Sequence, residues 1–88
     1  MPGPRAAVVL YTRDGCHLCD EAREELLARR PELPPFELRE VDIEGDEAIH
    51  AAYLERIPVI EVDGVSVSEL GLDRSALERA LASSRRIP

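Results

Sequence analysis

The chain has 88 residues, a formal charge of −7, 44% hydrophobic residues and two cysteines, which suits one globular domain and leaves no room for a second. A folded chain of this size buries roughly 60–65% of the surface its unfolded form exposes, enough for a core without cross-links. Two cysteines three positions apart cannot form a structural disulfide framework, and the acidic balance argues against a nucleic-acid partner or an anionic membrane surface, both of which need clustered Lys and Arg.

Met1–Arg5 is too short for the charged region of a signal peptide, and the apolar Ala6–Tyr11 stretch is about half a usual hydrophobic region. The expected location is therefore the cytoplasm. In that compartment thiols are kept reduced, so a close cysteine pair points to catalysis or metal binding.

Ala6–Thr12 is a nearly continuous apolar run rich in β-branched and aromatic residues, the pattern of a central strand covered on both faces. Asp14-Gly15 breaks it. Cys16 to Arg30 then reads as a helix with Leu18, Ala22 and Leu26 on one face and acidic residues in its first turns, ended by Pro31. Phe36–Asp42 alternates apolar and charged residues, which predicts an edge strand with one wet face. Asp46 can cap a second helix running to about Arg56, with Ile49, Ala52 and Tyr53 sharing a face.

Pro58–Val62, Asp63-Gly64 and Val65–Ser68 predict a hairpin about a two-residue type I′ turn, its first strand the more buried. Asp73 or Ser75 caps a last helix that turns Ala76, Leu77, Ala80 and Leu81 inward and leaves Glu78 and Arg79 in water. The order is β-α-β-α-β-β-α. A crossover connection makes the first two strands parallel neighbours, and the most apolar strands belong in the centre. The expected fold is therefore an α/β domain over residues 1–88, a four-stranded mixed sheet in order 2-1-3-4 with helices on both faces.

Cys16-His17-Leu18-Cys19 stands where the first strand turns into the first helix. The leading sulfur lies by the free N–H groups and positive end of that helix, which favours a thiolate. Cys16 is then the attacking thiol, and Cys19, one turn in, is placed to resolve a mixed disulfide. A protonated His17 supports the thiolate; the alternative is a solvated loop residue. Asp14, Asp20 and Glu21 oppose it. The helix end contributes about 0.3–1 kcal/mol, and one unit of thiol pKa corresponds to about 1.4 kcal/mol. These carboxylates can offset the dipole, and a moderately activated thiol is expected.

Leu10–Cys19 resembles the active-site segment of glutaredoxins and related thioredoxin-fold redoxins, in which a strand ending Tyr-Thr/Ser-Lys/Arg leads into C-x-x-C. Ile57-Pro58, followed by an apolar strand and a hairpin, is similar to the cis-proline segment of that family, and the element order agrees along nearly the whole chain. The resemblance implies thiol–disulfide exchange without a cofactor, with Ile57 and Pro58 at the substrate site. It implies a cis bond before Pro58, where local sequence alone allows a strand-initiating proline. Arg13 matches the basic position that meets a glutathione carboxylate in glutaredoxins; otherwise it is a solvated arginine.

The sequence departs from the glutaredoxin pattern at Cys16-His-Leu-Cys19, at Arg56, and at Ser68-Glu-Leu-Gly71 in place of a Gly-Gly pair. Glu69 and Leu70 bring side chains where glycines admit a tripeptide, and Glu69 repels its carboxylates. The motif looks most like that of small glutaredoxin-like proteins with C-x-L-C. Expected partners are a disulfide-containing protein or a glutathione mixed disulfide, and a recycling reductase; a monomer is expected, with no metal. The alternatives are a metal or iron–sulfur module through Cys16 and Cys19, and a redox-silent domain of the same fold. A tetrahedral metal site needs four ligands, and two cysteines supply half of them.

Overall fold

The structure is a computed structural model that describes residues 5–83; Met1–Pro4, part of the segment weighed as a leader, and the last five residues lie outside the described range. The elements follow the expected order: β1 Ala6–Thr12, α1 His17–Arg29, β2 Phe36–Asp42, α2 Glu47–Tyr53, β3 Val59–Val62, β4 Val65–Glu69 and α3 Arg74–Ser83. The sheet runs β2-β1-β3-β4. β1 pairs parallel with β2, with Ala6 opposite Phe36, and antiparallel with β3, with Leu10 opposite Ile60.

Alternation along the central strands builds two unequal layers. Val8 and Leu10 of β1 and Ile60 and Val62 of β3 join Ala22 and Leu26 of α1 and Leu77 and Leu81 of α3 in the main core. A smaller cluster of Cys19, Ile43, Ile57 and Val59 receives Tyr11 of β1 with Ile49 and Tyr53 of α2. α2 has seven residues, too few to cover its side of the sheet, so β1 residues facing that way are half-buried instead of fully covered as its apolar run predicts.

Local chemistry sets the ends. Asp46 caps α2, its Oδ1 accepting from Ile49 N at 3.0 Å. At α3 the cap is Asp73, not Ser75: Asp73 Oδ1 accepts from Ala76 N at 3.0 Å. The hairpin turn has positive φ at both central residues, Asp63 at 51° and Gly64 at 85°, as a type I′ turn requires. Pro31 does not stop the chain abruptly; Arg30–Glu32 adds a single 3₁₀ turn. Ion pairs Glu25–Arg74 and Arg29–Glu78 tie α1 to α3. Among the described residues no helix is long and apolar enough to cross a membrane.

Two expected faces shift. The buried stripe of α1 is Cys19, Ala22 and Leu26, while Leu18 is 48% exposed. The first helical turn opens from the Asp14-Gly15 bend, and there the core lies under Cys19. On α2, Ala52 is exposed, and Ile49 and Tyr53 pack against the smaller cluster.

Candidate active site

Strand β1 delivers Thr12 to a tight turn in which Cys16 N donates to Arg13 O at 3.3 Å, with Gly15 at φ 79°. That left-handed residue lets the chain reverse into α1 without a Cβ penalty. Cys16 is the N-cap of α1: its sulfur accepts the N–H of Cys19 at 3.1 Å, and its carbonyl accepts Asp20 N at 3.1 Å. The sulfur thus takes one of the helix's free donors. Cys16 and Cys19 are joined as a disulfide, with Cα atoms 5.2 Å apart. Cys16 is partly exposed and Cys19 fully buried.

Facing the pair is the Ile57-Pro58 segment. The bond between them is cis, as the resemblance implied. Ile57 belongs to the same apolar cluster as Cys19, with Cys16 packed against it, and Pro58 is fully buried. The approach to this proline is fixed by Tyr53, whose carbonyl accepts the N–H groups of Arg56 at 2.8 Å and Ile57 at 3.1 Å. Leu70, at the end of β4, donates its N–H to the carbonyls of both Arg56 and Pro58, each at 3.0 Å.

The structure therefore brings Cys16, Cys19, Ile57 and Pro58 together. His17 points into solvent, 87% exposed, with Nε2 3.1 Å from Glu21 Oε2. Arg13 faces Glu44 of its own chain, Nη2 to Oε2 3.7 Å. It lines a polar cleft of about 440 Å³ whose walls include Asp14, Asp20, Arg23, Glu40 and Asp42, and none of the four clustered residues. Arg23 is shared between Asp20 and Glu40, which hold its guanidinium protonated more firmly than usual, Glu40 most strongly.

Glu69 does not stand as a free charge. It pairs with Arg56, an ion pair that lowers the carboxyl's pKa and raises the guanidinium's. Arg56 also lies over the Tyr53 ring, 5.0 Å from its centroid.

Tyr11 and Tyr53 pack at the edge of the smaller cluster, and the residue that joins them, Glu61, is one that local pattern gives no role. Glu61 of β3 accepts from the hydroxyls of Tyr11 and Tyr53, each at 3.1 Å, and the two rings lie 4.6 Å apart. Burial, and then the bonds to Glu61, push both phenols above their ordinary pKa. The available signal was a lone carboxylate in the otherwise apolar Val59-Ile-Glu-Val62, on the face that Tyr11 shares once β1 and β3 are neighbours.

Among the described residues no group of three or more His, Cys, Asp or Glu side chains is arranged to hold a metal ion. A metal or cluster would need further ligands from elsewhere. The chemistry in place is that of a vicinal dithiol and its disulfide.

Comparison with known proteins bears on this site. Residues 7–82 match the family model described as a glutaredoxin-like domain (DUF836). An uncharacterized protein of Mycobacterium tuberculosis is 31% identical over 85 residues, covering 91% of this chain and 87% of its own length. A Nitrosomonas europaea protein solved by solution NMR is 28% identical with a TM-score of 0.80, covering 92% of this chain and 96% of that one. A protein from X. campestris, solved by X-ray methods, is 34% identical with a TM-score of 0.67, covering 89% of this chain and 99% of that one. A thioredoxin mutant from Halobacterium salinarum, 21% identical with a TM-score of 0.60 over 94% of this chain and 78% of its own, shares the fold.

Proposed function

The chain belongs to the glutaredoxin-like domain family, and from that premise we propose that it is a thiol–disulfide oxidoreductase working through Cys16 and Cys19. The observation that carries this reading is the asymmetry of the pair. One sulfur is partly exposed and accepts an amide at the start of a helix; the other is fully buried, one turn behind it and against the Ile57-Pro58 segment.

In the reduced protein the Cys19 N–H and the helix end favour the Cys16 thiolate. That thiolate attacks one sulfur of a partner disulfide. A Cys16–partner bond forms, the partner's S–S bond breaks, and its second sulfur leaves as a thiolate that takes a proton from water. Cys19 loses its proton to solvent and attacks Cys16 Sγ. The Cys16–Cys19 bond forms, and the partner's remaining sulfur departs as a thiolate. Two electrons have passed to the partner. An external thiol or dithiol reductant returns the protein to the reduced state by the same exchange in reverse.

His17 and Arg13 have secondary places in this scheme. His17 flanks the attacking sulfur but spends its ring nitrogen on Glu21. Arg13, paired with Glu44, reaches a substrate carboxylate by giving up that partner. No bound cofactor enters the exchange, and the reading fits a monomeric cytoplasmic protein.

The test compares wild type, Cys16→Ser and Cys19→Ser in reduction of a protein disulfide and of a glutathione mixed disulfide. Cys16→Ser should lose turnover, while Cys19→Ser should accumulate a covalent adduct of the partner on Cys16, read by mass. Full turnover by Cys16→Ser, or a purified dimer bridged by metal on the two cysteines, would reject the proposal.

A further inference from the structure

The rim of the disulfide has a marked chemistry of its own. Leu18, between the cysteines, is 48% exposed, and Leu70, hydrogen-bonded to the proline segment opposite, is 60% exposed. Leu70 also has φ 62°, a left-handed backbone that disfavours any residue with a Cβ. Its N–H is committed to two carbonyls of its own chain, so that amide does not serve an incoming carboxylate. These two leucines leave large apolar side chains in water, one between the cysteines and one beside the proline segment, where a bound partner would cover them.

Among the charges around them carboxylates outnumber arginines. Arg56 is held by Glu69, Arg13 faces Glu44, and Arg23 is divided between Asp20 and Glu40. Each arginine of this rim thus already meets a carboxylate. Asp14 precedes Cys16 in the turn, and Glu21 faces His17, which is charged only when protonated. The chain as a whole carries −7. Such a field attracts cations to the site and repels a net-negative ligand.

We infer that the substrate of this site is a cationic stretch of polypeptide with an apolar residue beside its disulfide-bonded cysteine, and not glutathione, whose two carboxylates outweigh its one ammonium. Leu18 and Leu70 receive the apolar side chain, and the acidic rim draws the flanking Arg or Lys. The inference rests on the redox reading above and uses the same exchange steps.

The experiment takes the full chain, reduced and freed of reductant, and follows oxidation of its thiols by four disulfides. One is 4,4′-dithiodipyridine, small and uncharged, which reports a reactive thiolate irrespective of docking. Two are homodimeric peptides of one length around Leu-Cys, flanked by arginines in one and glutamates in the other. The fourth is glutathione disulfide. Each rate is divided by that of dithiothreitol with the same disulfide, which removes intrinsic reactivity.

On this scale the arginine peptide should react about tenfold faster than the glutamate peptide and glutathione disulfide at low ionic strength, narrowing to about twofold near 0.5 M salt as screening sets in. Leu70→Gly and Leu18→Ser should each slow the arginine peptide severalfold, and Glu21→Gln should shrink the preference for it. If dithiodipyridine oxidises wild type no faster than Cys16→Ser, the redox reading itself fails, and this inference with it. If dithiodipyridine reacts through Cys16 but the two peptides react equally, or glutathione disulfide is fastest, the redox reading stands and the inference is overturned.

Discussion

Replacing Glu61 by Gln keeps the shape of the side chain while removing its charge and one acceptor. In the native chain Tyr11 donates to Oε1 and Tyr53 to Oε2, each at 3.1 Å. An amide offers one oxygen that accepts and one nitrogen that only donates, so one hydroxyl keeps a neutral bond and the other must turn round and accept. Hydrogen bonds to a charged group contribute about 1.5–3 kcal/mol and neutral ones about 0.5–1.5 kcal/mol. Exchanging two of them in this half-buried setting should cost about 1–2 kcal/mol, a fall in Tm of about 5–15 °C for a domain of this size.

The same variant has an optical signature. The chain contains two tyrosines and no tryptophan, so the tyrosinate absorption band reads these two rings alone. Burial first, and Glu61 second, raise both phenols above 10.0. The native state therefore holds protons that the unfolded chain releases at about pH 10, and stability must fall as pH rises from there to the native values. With two protons involved the slope is at most about 2.7 kcal/mol per pH unit. Glu61→Gln should bring both titrations nearer the ordinary value, leaving the part due to burial. Superimposable titration curves and an unchanged Tm would show that the carboxylate does not hold the rings.

Two further substitutions probe the framework of the site. Leu26 is fully buried in the main core, and Leu26→Ala should lose about 2.7–5 kcal/mol in chemical denaturation; a loss below about 1 kcal/mol would place α1 off the sheet. Gly15 has φ 79° with open space where a Cβ would stand, so Gly15→Ala should cost about 1–2 kcal/mol through the backbone alone, and an unaltered Tm would contradict the left-handed turn before Cys16.

Where a local rule decides the outcome, the sequence was enough. The apolar run of β1, the Asp63-Gly64 turn and the capping Asp46 act over a few residues, and with crossover geometry they lead to the observed strand order. The cysteine pair at the helix start was legible for the same reason. The cis state of Ile57-Pro58 came from family resemblance, since propensity favours trans at most X-Pro bonds.

What stayed hidden depends on partners distant in sequence. Tyr11 and Glu61 are 50 positions apart, and nothing local says that one carboxylate will join two tyrosines. Periodicity put Leu18 on the buried face of α1, but the first turn of a helix need not face the body of the sheet. Glu69, read as a bare negative charge, meets Arg56 across 13 positions. The left-handed backbone of Leu70 is likewise set by its two carbonyl partners on the neighbouring segment and not by its own preference.

Those two carbonyls, Arg56 O and Pro58 O, lie on either side of Ile57. One amide therefore rivets the tip of the sheet to the chain before and after the residue that faces the sulfurs, and Tyr53's carbonyl fastens the same stretch to α2. Opposite, the cysteines hang from a bend containing Gly15 and the opening turn of α1. The proline side of the site is thus held by four backbone hydrogen bonds drawn from two neighbouring elements, and the cysteine side by two short-range bonds of its own, Cys16 N to Arg13 O and Cys19 N to Cys16 Sγ.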